Sequence, residues 1–327
     1  FFKNNEYFSD FETGYTGIGS ILQPSLRYQL SPYTSFSFGY HLLKYSGIDN
    51  YTEILPLINV THSISDKLKI IMGHLRGNLD HSLSEPLYRF DNSYQKNVEN
   101  GVQFLYNSKH YDFDLWMDWE KFIFTDDPFQ EEFVVGYNSS LDLIKKEKIS
   151  LRTDFQFLFT HKGGQIDAAN ASKQTTLNSD LNLSFNYIFK EDHNMVLKHS
   201  WLSYEGIHAP PPGDPNHLAY KDGFAYYSQF IYRIQWFKLM LGYWKAKRFM
   251  SPRGEFLFQS VSRDKPDIKV DDRRMITSKL YFTQVKKGPV TLQLRADLYY
   301  DIDQKFCDYV YGFYLIFTDN FFLRKIK

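Results

Sequence analysis

Apolar and polar residues alternate with a period of two along most of this chain. In residues 290–301, Val290, Leu292, Leu294, Ala296, Leu298 and Tyr300 fall on one face, and Thr291, Gln293, Arg295, Asp297, Tyr299 and Asp301 on the other. Residues 111–120 set Tyr111, Phe113, Leu115, Met117 and Trp119 against Asp112, Asp114, Trp116, Asp118 and Glu120. Residues 149–160 and 177–189 repeat the device, with Phe155, Phe157 and Phe159 opposing Arg152, Asp154 and Gln156, and Leu181, Leu183 and Phe185 opposing Asp180, Asn182 and Asn186. A helix would spread these charges around its circumference, whereas a strand keeps them on one side. The pattern predicts an all-β protein.

Two kinds of connection separate the strands. Short polar turns are predicted at 31–34, 65–67, 108–110, 145–148, 191–194, 235–236 and 286–289, and longer loops at 80–97, 125–130, 162–176, 206–222 and 251–273. The loop at 206–222 holds Pro210-Pro211-Pro212, which cannot continue a ladder. The candidate strands between residues 19 and 321 are odd in number. Residues 1–8, with their aromatic cluster, supply one more, whose upstream half is expected to lie outside this sequence. Single-chain bacterial barrels are even, so about 16 strands are expected, or about 14 if two assignments fail. The strands exceed the roughly 5–6 residues of soluble sheets and suit a tilted crossing of a bilayer. At that strand number an inward apolar face would line an empty tube, so the apolar face is expected to meet lipid. The expectation is a transmembrane antiparallel up-and-down β-barrel, residues 1–327 forming one domain. It would be integral to a bacterial outer membrane, with short periplasmic turns and long extracellular loops. Tyr28, Phe36, Tyr45, Trp119, Phe159, Tyr187, Phe189, Trp201, Trp236, Tyr243, Tyr300 and Phe317 are expected to form its interfacial girdles.

Composition narrows the choice. Aromatic residues make up 18% of the chain, with 25 Tyr and 30 Phe, which suits rings that settle at membrane–water interfaces. A mean hydropathy of -0.44 is too polar for a bundle of membrane helices. Lys+Arg and Asp+Glu are 38 each, which argues against nucleic acid as a partner. The expected partners are outer-membrane lipids and lipopolysaccharide, with other outer-membrane proteins or lipoproteins as further ones. One cysteine, Cys307, permits no intrachain disulfide. The first residues lack a basic start followed by an apolar core, so the true start is expected upstream.

The polar face is the one large constellation. Asp112, Asp114, Asp118 and Glu120 form an acidic ladder, one hairpin away from Arg152 and Asp154, while Arg295 and Asp297 share another strand. They are read either as a charged lining of the lumen or as a neutralised network that stiffens the wall. Residues 80–97 carry Leu83, Pro86, Leu87, Tyr88 and Phe90, too apolar for a solvated loop. That loop is expected to constrict the lumen or dock a partner. No catalytic motif is present, no metal ligand set is recognised in the pairing of His208 and His217 around Asp214, and no cofactor is expected. A Ser–His hydrolase built from His74 or His199 beside a strand serine such as Ser200 is the remote catalytic reading. The chain is expected not to be an enzyme.

Several stretches carry a resemblance: Asn5-Glu6-Tyr7-Phe8 with Gly14-Tyr15-Thr16, Gln23-Pro24-Ser25-Leu26-Arg27-Tyr28, Gly73-His74-Leu75-Arg76-Gly77-Asn78-Leu79 running into Glu85-Pro86-Leu87-Tyr88, and Gly163-Gly164-Gln165-Ile166-Asp167. With these the sequence resembles porin-like outer-membrane barrels of the Bacteroidota type, which implies location and fold more than activity. It departs from the terminal aromatic of many barrels by running past Phe321-Phe322 to Lys327. The leading function is a passive channel for small hydrophilic solutes. The runner-up is a non-conducting scaffold of a membrane complex, and an outer-membrane lipid-modifying enzyme comes third.

Overall fold

A computed structural model describes residues 1–285, 289–321 and 323. The predicted turn at 286–289, apart from Pro289, lies outside the described residues, as does Phe322. Seventeen strand segments form one antiparallel sheet. They are β1 (Phe2–Tyr7), β2 (Thr16–Leu22), β3 (Ser25–Gln29), β4 (Thr34–Tyr45), β5 (Glu53–Ser63), β6 (Leu68–His74), β7 (Asn100–Asn107), β8 (Tyr111–Lys121) and β9 (Glu132–Lys145). After these come β10 (Ile149–Lys162), β11 (Gln174–Lys190), β12 (His193–His208), β13 (Asp222–Ile234), β14 (Phe237–Lys247), β15 (Asp272–Val285), β16 (Val290–Asp301) and β17 (Phe306–Phe317). β2 and β3 both pair with β4, so Gln23-Pro24 only interrupts one stave and the barrel has sixteen. Pro24 lacks an N–H to give to a ladder, which explains the break. β1 pairs with β2 on one side and β17 on the other, closing the sheet and leaving no edge.

Alternation fixes the two faces. Along β16, Leu294, Ala296, Leu298 and Tyr300 are exposed while Arg295, Asp297, Tyr299 and Asp301 are buried. Exposed Leu181, Leu183, Phe185, Leu197, Trp201, Phe224, Tyr226, Leu241, Tyr243 and Ile276 carry the same apolar face around the wall. A closed barrel with its greasy face outward satisfies its backbone in hydrocarbon, and the protein is an integral outer-membrane β-barrel. Tyr45 departs from the girdle expectation. It packs edge-on against Phe2, 5.7 Å between centroids, in a cluster with buried Leu43 and Tyr94.

The inner face is less polar than the alternation predicted. Trp116, Tyr204, Trp244, Met275 and Val310 all point inward and are buried. They pack against three segments that leave the wall on the long-loop side, at residues 8–15, 75–99 and 248–271. Phe11, Leu87, Phe249, Leu257 and Phe258 from these segments form one buried cluster with inward Tyr204, Trp244 and Tyr299. Apolar side chains face the lumen here because protein, not water, fills it.

Candidate functional site

The segment 75–99 crosses the lumen and is tied to both walls. On one side, the His81 ring stacks on Trp116 at 3.5 Å between centroids. Trp116 itself lies over Gly136, where a Cβ would come within 2.1 Å of the indole, so only glycine leaves room. His81 Nδ1 is 2.8 Å from Asp114 and Nε2 is 2.7 Å from Glu99. The Tyr88 hydroxyl donates to Glu99, Asn138 donates to the His81 carbonyl, and Gln156 accepts from the Ser84 N–H. Burial alone would lower the His81 imidazolium, but the hydrogen bonds and charges of Asp114 and Glu99 push it up to about 9. Burial would raise Glu99, yet His81 holds it below the usual carboxylate range. On the far side, Glu85 meets Lys279 and accepts from the Tyr299 hydroxyl at 2.8 Å, with Arg295 3.7 Å away.

The other two segments lock onto this one. The Arg89 N–H donates to the Arg253 carbonyl and the Glu255 N–H to that of Glu85. Gly254 lies so close to Pro86 that a Cβ would come within 1.9 Å of its carbonyl oxygen. Arg273 sits 3.4 Å over the Phe11 ring and pairs with Asp301 at 2.7 Å.

Each charged residue singled out in the sequence has a partner. Asp112 lies 3.6 Å from Arg152, which donates to Asp154 at 2.8 Å. Asp114 holds His81, Asp118 accepts the Asn100 N–H at 2.8 Å, and Glu120 bridges Lys96 and Arg253. Arg295 donates to Asp297 at 2.7 Å, and Lys279 stands 3.6 Å from the same carboxylate. Of the loop residues, Leu87 and Tyr88 are buried, Pro86 abuts Gly254, Leu83 packs against the Trp116 cluster, and Phe90 lies under Arg295 at 4.0 Å. Below the crossing segment a cavity of about 610 Å³ remains on the short-turn side, bounded by Glu85, Tyr88 and Phe90 above and by β10–β15 around it.

The outer wall holds a different arrangement. His199 Nδ1 lies 2.7 Å from Ser228 Oγ across the β12–β13 ladder, where the two residues stand directly opposite. Both face away from the lumen, since their neighbours Ser200, Leu202, Ala225 and Tyr227 are the buried ones. The ring packs against Trp201 at 4.5 Å and Tyr226 at 6.3 Å between centroids. His199 lies seven positions above Asp192 at the short turn, and Ser228 seven above Gln235. With ~3.3 Å per residue and a tilt of ~40°, the pair stands roughly 18 Å up an apolar band about 25 Å tall. On that estimate the pair lies in the outer-leaflet half of the band, about 7 Å below its outer edge. Exposed Lys245 stands opposite Tyr226 and diagonal to Ser228, on the headgroup side of it. Ser179 and Ser203, hydrogen-bonded at 2.7 Å, extend this polar patch along the same outer face.

Other histidines also meet hydroxyls, His62 with Thr34 and His161 and His208 with Thr175, but these lie at the two ends of the strands, where water supplies the alternative. The sequence pointed to His199 but paired it with Ser200, which faces inward and donates to Asp180 at 3.3 Å. Its other candidate, His74, contacts the Glu99 carbonyl at 3.3 Å. Ser228 was legible only through register. Pairing Glu205 with Asp222 across the proline loop makes every partner sum 427, which brings 199 to 228.

A family model described as lipid A 3'-O-deacylase-type matches residues 1–326. This overturns the expectation that the chain is not an enzyme, because the family's description names an enzyme activity. The porin-like resemblance holds at the level of an outer-membrane barrel, and the matching family is a different one. None of the curated proteins compared matches the chain. Among solved structures, the loop-deletion mutant of OmpT from Vibrio cholerae superposes with a TM-score of 0.54 at 11% identity, covering 96% of each chain. OpdL from Pseudomonas aeruginosa gives 0.53 at 12% identity, also covering 96% of each. A BenF-like porin from Pseudomonas fluorescens Pf-5 gives 0.53 at 8% identity, covering 97% of this chain and 96% of that one. These likenesses concern the fold.

Proposed function

Because the chain belongs to the lipid A 3'-O-deacylase-type family, we propose that it hydrolyses an ester-linked acyl chain of an outer-leaflet lipid at the His199–Ser228 pair. The observation that carries this reading is a serine hydroxyl on an imidazole nitrogen, on the lipid-facing wall in its outer-leaflet half. Polar side chains on a lipid-facing wall are costly, so a pair kept there calls for a use. In the reaction, Ser228 Oγ attacks the acyl carbonyl while His199 Nδ1 takes the hydroxyl proton. The C–O bond to the headgroup alcohol breaks, and that alcohol leaves with the proton from His199. Water, deprotonated by His199, then cleaves the acyl–Ser228 ester, returning the serine and releasing a fatty acid. Trp201 and Tyr226 pack against the ring and limit its rotation. Lys245 offers a cation to a headgroup phosphate one step toward the outside.

Incubating the purified barrel in mixed micelles with lipid A or with phospholipid tests this reading. Loss of one acyl mass and appearance of free fatty acid are expected. An intact lipid pool after prolonged incubation with folded protein would refute it.

A second reading, passage of small solutes, draws on the cavity below the crossing segment and on the charged residues of the inner wall. It requires the segment 75–99 to constrict rather than seal. Deleting residues 83–90 should then raise single-channel conductance, and unchanged conductance would remove this reading.

A further inference from the structure

Three cations face the cavity on the short-turn side and make no close ion pair among the described residues. Among the residues lining it, Arg152 is bound to Asp154, and Lys279 to Glu85 and Asp297. Lys198, Arg233 and Lys238 form no such pair among the described residues; the carboxylates in longer electrostatic range are Asp180 for Lys198, and Asp297 and Glu85 for Lys238. Arg233 and Lys238 are direct cross-strand partners on β13 and β14. Like charges directly opposite repel, and a folded wall normally avoids the arrangement or offsets it. Here the nearest offset is the Tyr281 ring, 5.0 Å beneath the Lys238 ammonium. Lys198, on the next strand, β12, stands opposite Gln229 and faces the same cavity four residues further along the wall. Neutral polar groups fill the space between them: Gln229, and Asn194 donating to Asn186 at 2.7 Å.

We infer that this vestibule is a binding site for a small, water-soluble, phosphate-bearing solute reached from the periplasm. The Arg233 guanidinium fork suits two phosphate oxygens with the Lys238 ammonium beside it, and Lys198 stands further along the same wall. A cavity of about 610 Å³ holds a phosphorylated sugar-sized body with room for water. The protein wall separates the cavity from lipid, so the ligand arrives in solution. The site lies on the inner face and is independent of the His199–Ser228 pair.

The test is calorimetric titration of the detergent-solubilised full-length protein with inorganic phosphate and, separately, with glucose 6-phosphate, against glucose as the neutral arm. Saturable binding of both phosphates and none of glucose is expected. Arg233→Gln or Lys238→Gln should weaken binding at least tenfold, while Lys148→Gln, on an exposed turn outside the cavity, should leave it within twofold. Thermal unfolding provides the second readout. Without phosphate, Arg233→Gln should melt higher than the wild type, because a repulsion is removed, and phosphate should raise only the wild-type midpoint. Absence of phosphate binding, or binding retained in the Lys198→Gln, Arg233→Gln, Lys238→Gln triple variant, would overturn the assignment.

Discussion

Inside the barrel, His81 lies between two carboxylates and flat against Trp116, with both ring nitrogens occupied. On the outer wall, His199 meets one hydroxyl with one nitrogen among the described residues, and aromatic rings pack against its plane. The two regions use one residue type for opposite ends. An imidazole bonded to acids on both sides keeps both protons and serves as a fixed cation, here pinning the segment that crosses the lumen. An imidazole with a hydroxyl on one nitrogen has a partner with which it can exchange a proton. Burial and partner count, rather than the presence of histidine and acid together, separate a clasp from a reacting pair.

That contrast can be broken in graded ways. The largest effect should come from Ser228→Ala or His199→Ala, each lowering lipid hydrolysis by roughly 10²–10⁴-fold with the folded mobility of the barrel on electrophoresis unchanged. His81→Ala should act the other way. It leaves Glu99 and Asp114 unpaired in a buried place and should cost about 3–5 kcal/mol on thermal unfolding in detergent, while hydrolysis stays within twofold. If hydrolysis disappears from a folded His81→Ala barrel, the reacting site is inside. Gly254→Ala drives a methyl against the Pro86 carbonyl and should destabilise by about 1–3 kcal/mol, without affecting hydrolysis. The smallest effect is that of pH. The raised His81 value means its contribution is complete below the ordinary histidine range and lost as pH rises through about 9. Amide exchange of residues 78–90, corrected for its intrinsic pH dependence, should quicken between pH 7 and 9 and should not do so in His81→Ala.

Much of the fold was legible because a strand writes its two faces into the sequence. The alternation at 290–301 is the burial pattern of β16 residue for residue from Leu294 onward, and residues 1–8 do close the ring. What the alternation could not convey is what lies inside. A period of two distinguishes polar from apolar, and an inward Trp244 or Tyr204 packed under a folded loop looks like an irregularity of the pattern. Tyr45 was assigned to the girdle for the same reason, since nothing local shows that Phe2 and Tyr94 come to meet it. The apolar content of residues 80–97 drew attention to one inserted segment. Phe256-Leu257-Phe258 in the loop at 251–273 and Phe11 near the start carry the same signal. The His199–Ser228 pair was hidden for another reason. Its members are 29 positions apart, and only the hairpin register joins them.

The claim that carries the account is that Ser228 is the nucleophile and His199 its base. A long-chain fluorophosphonate, presented in micelles and followed by peptide mass mapping, addresses it directly. The account predicts one adduct, on the peptide containing Ser228, that disappears in His199→Ala and in Ser228→Ala. Labelling at another residue, or no labelling of a barrel that still releases fatty acid, would contradict it.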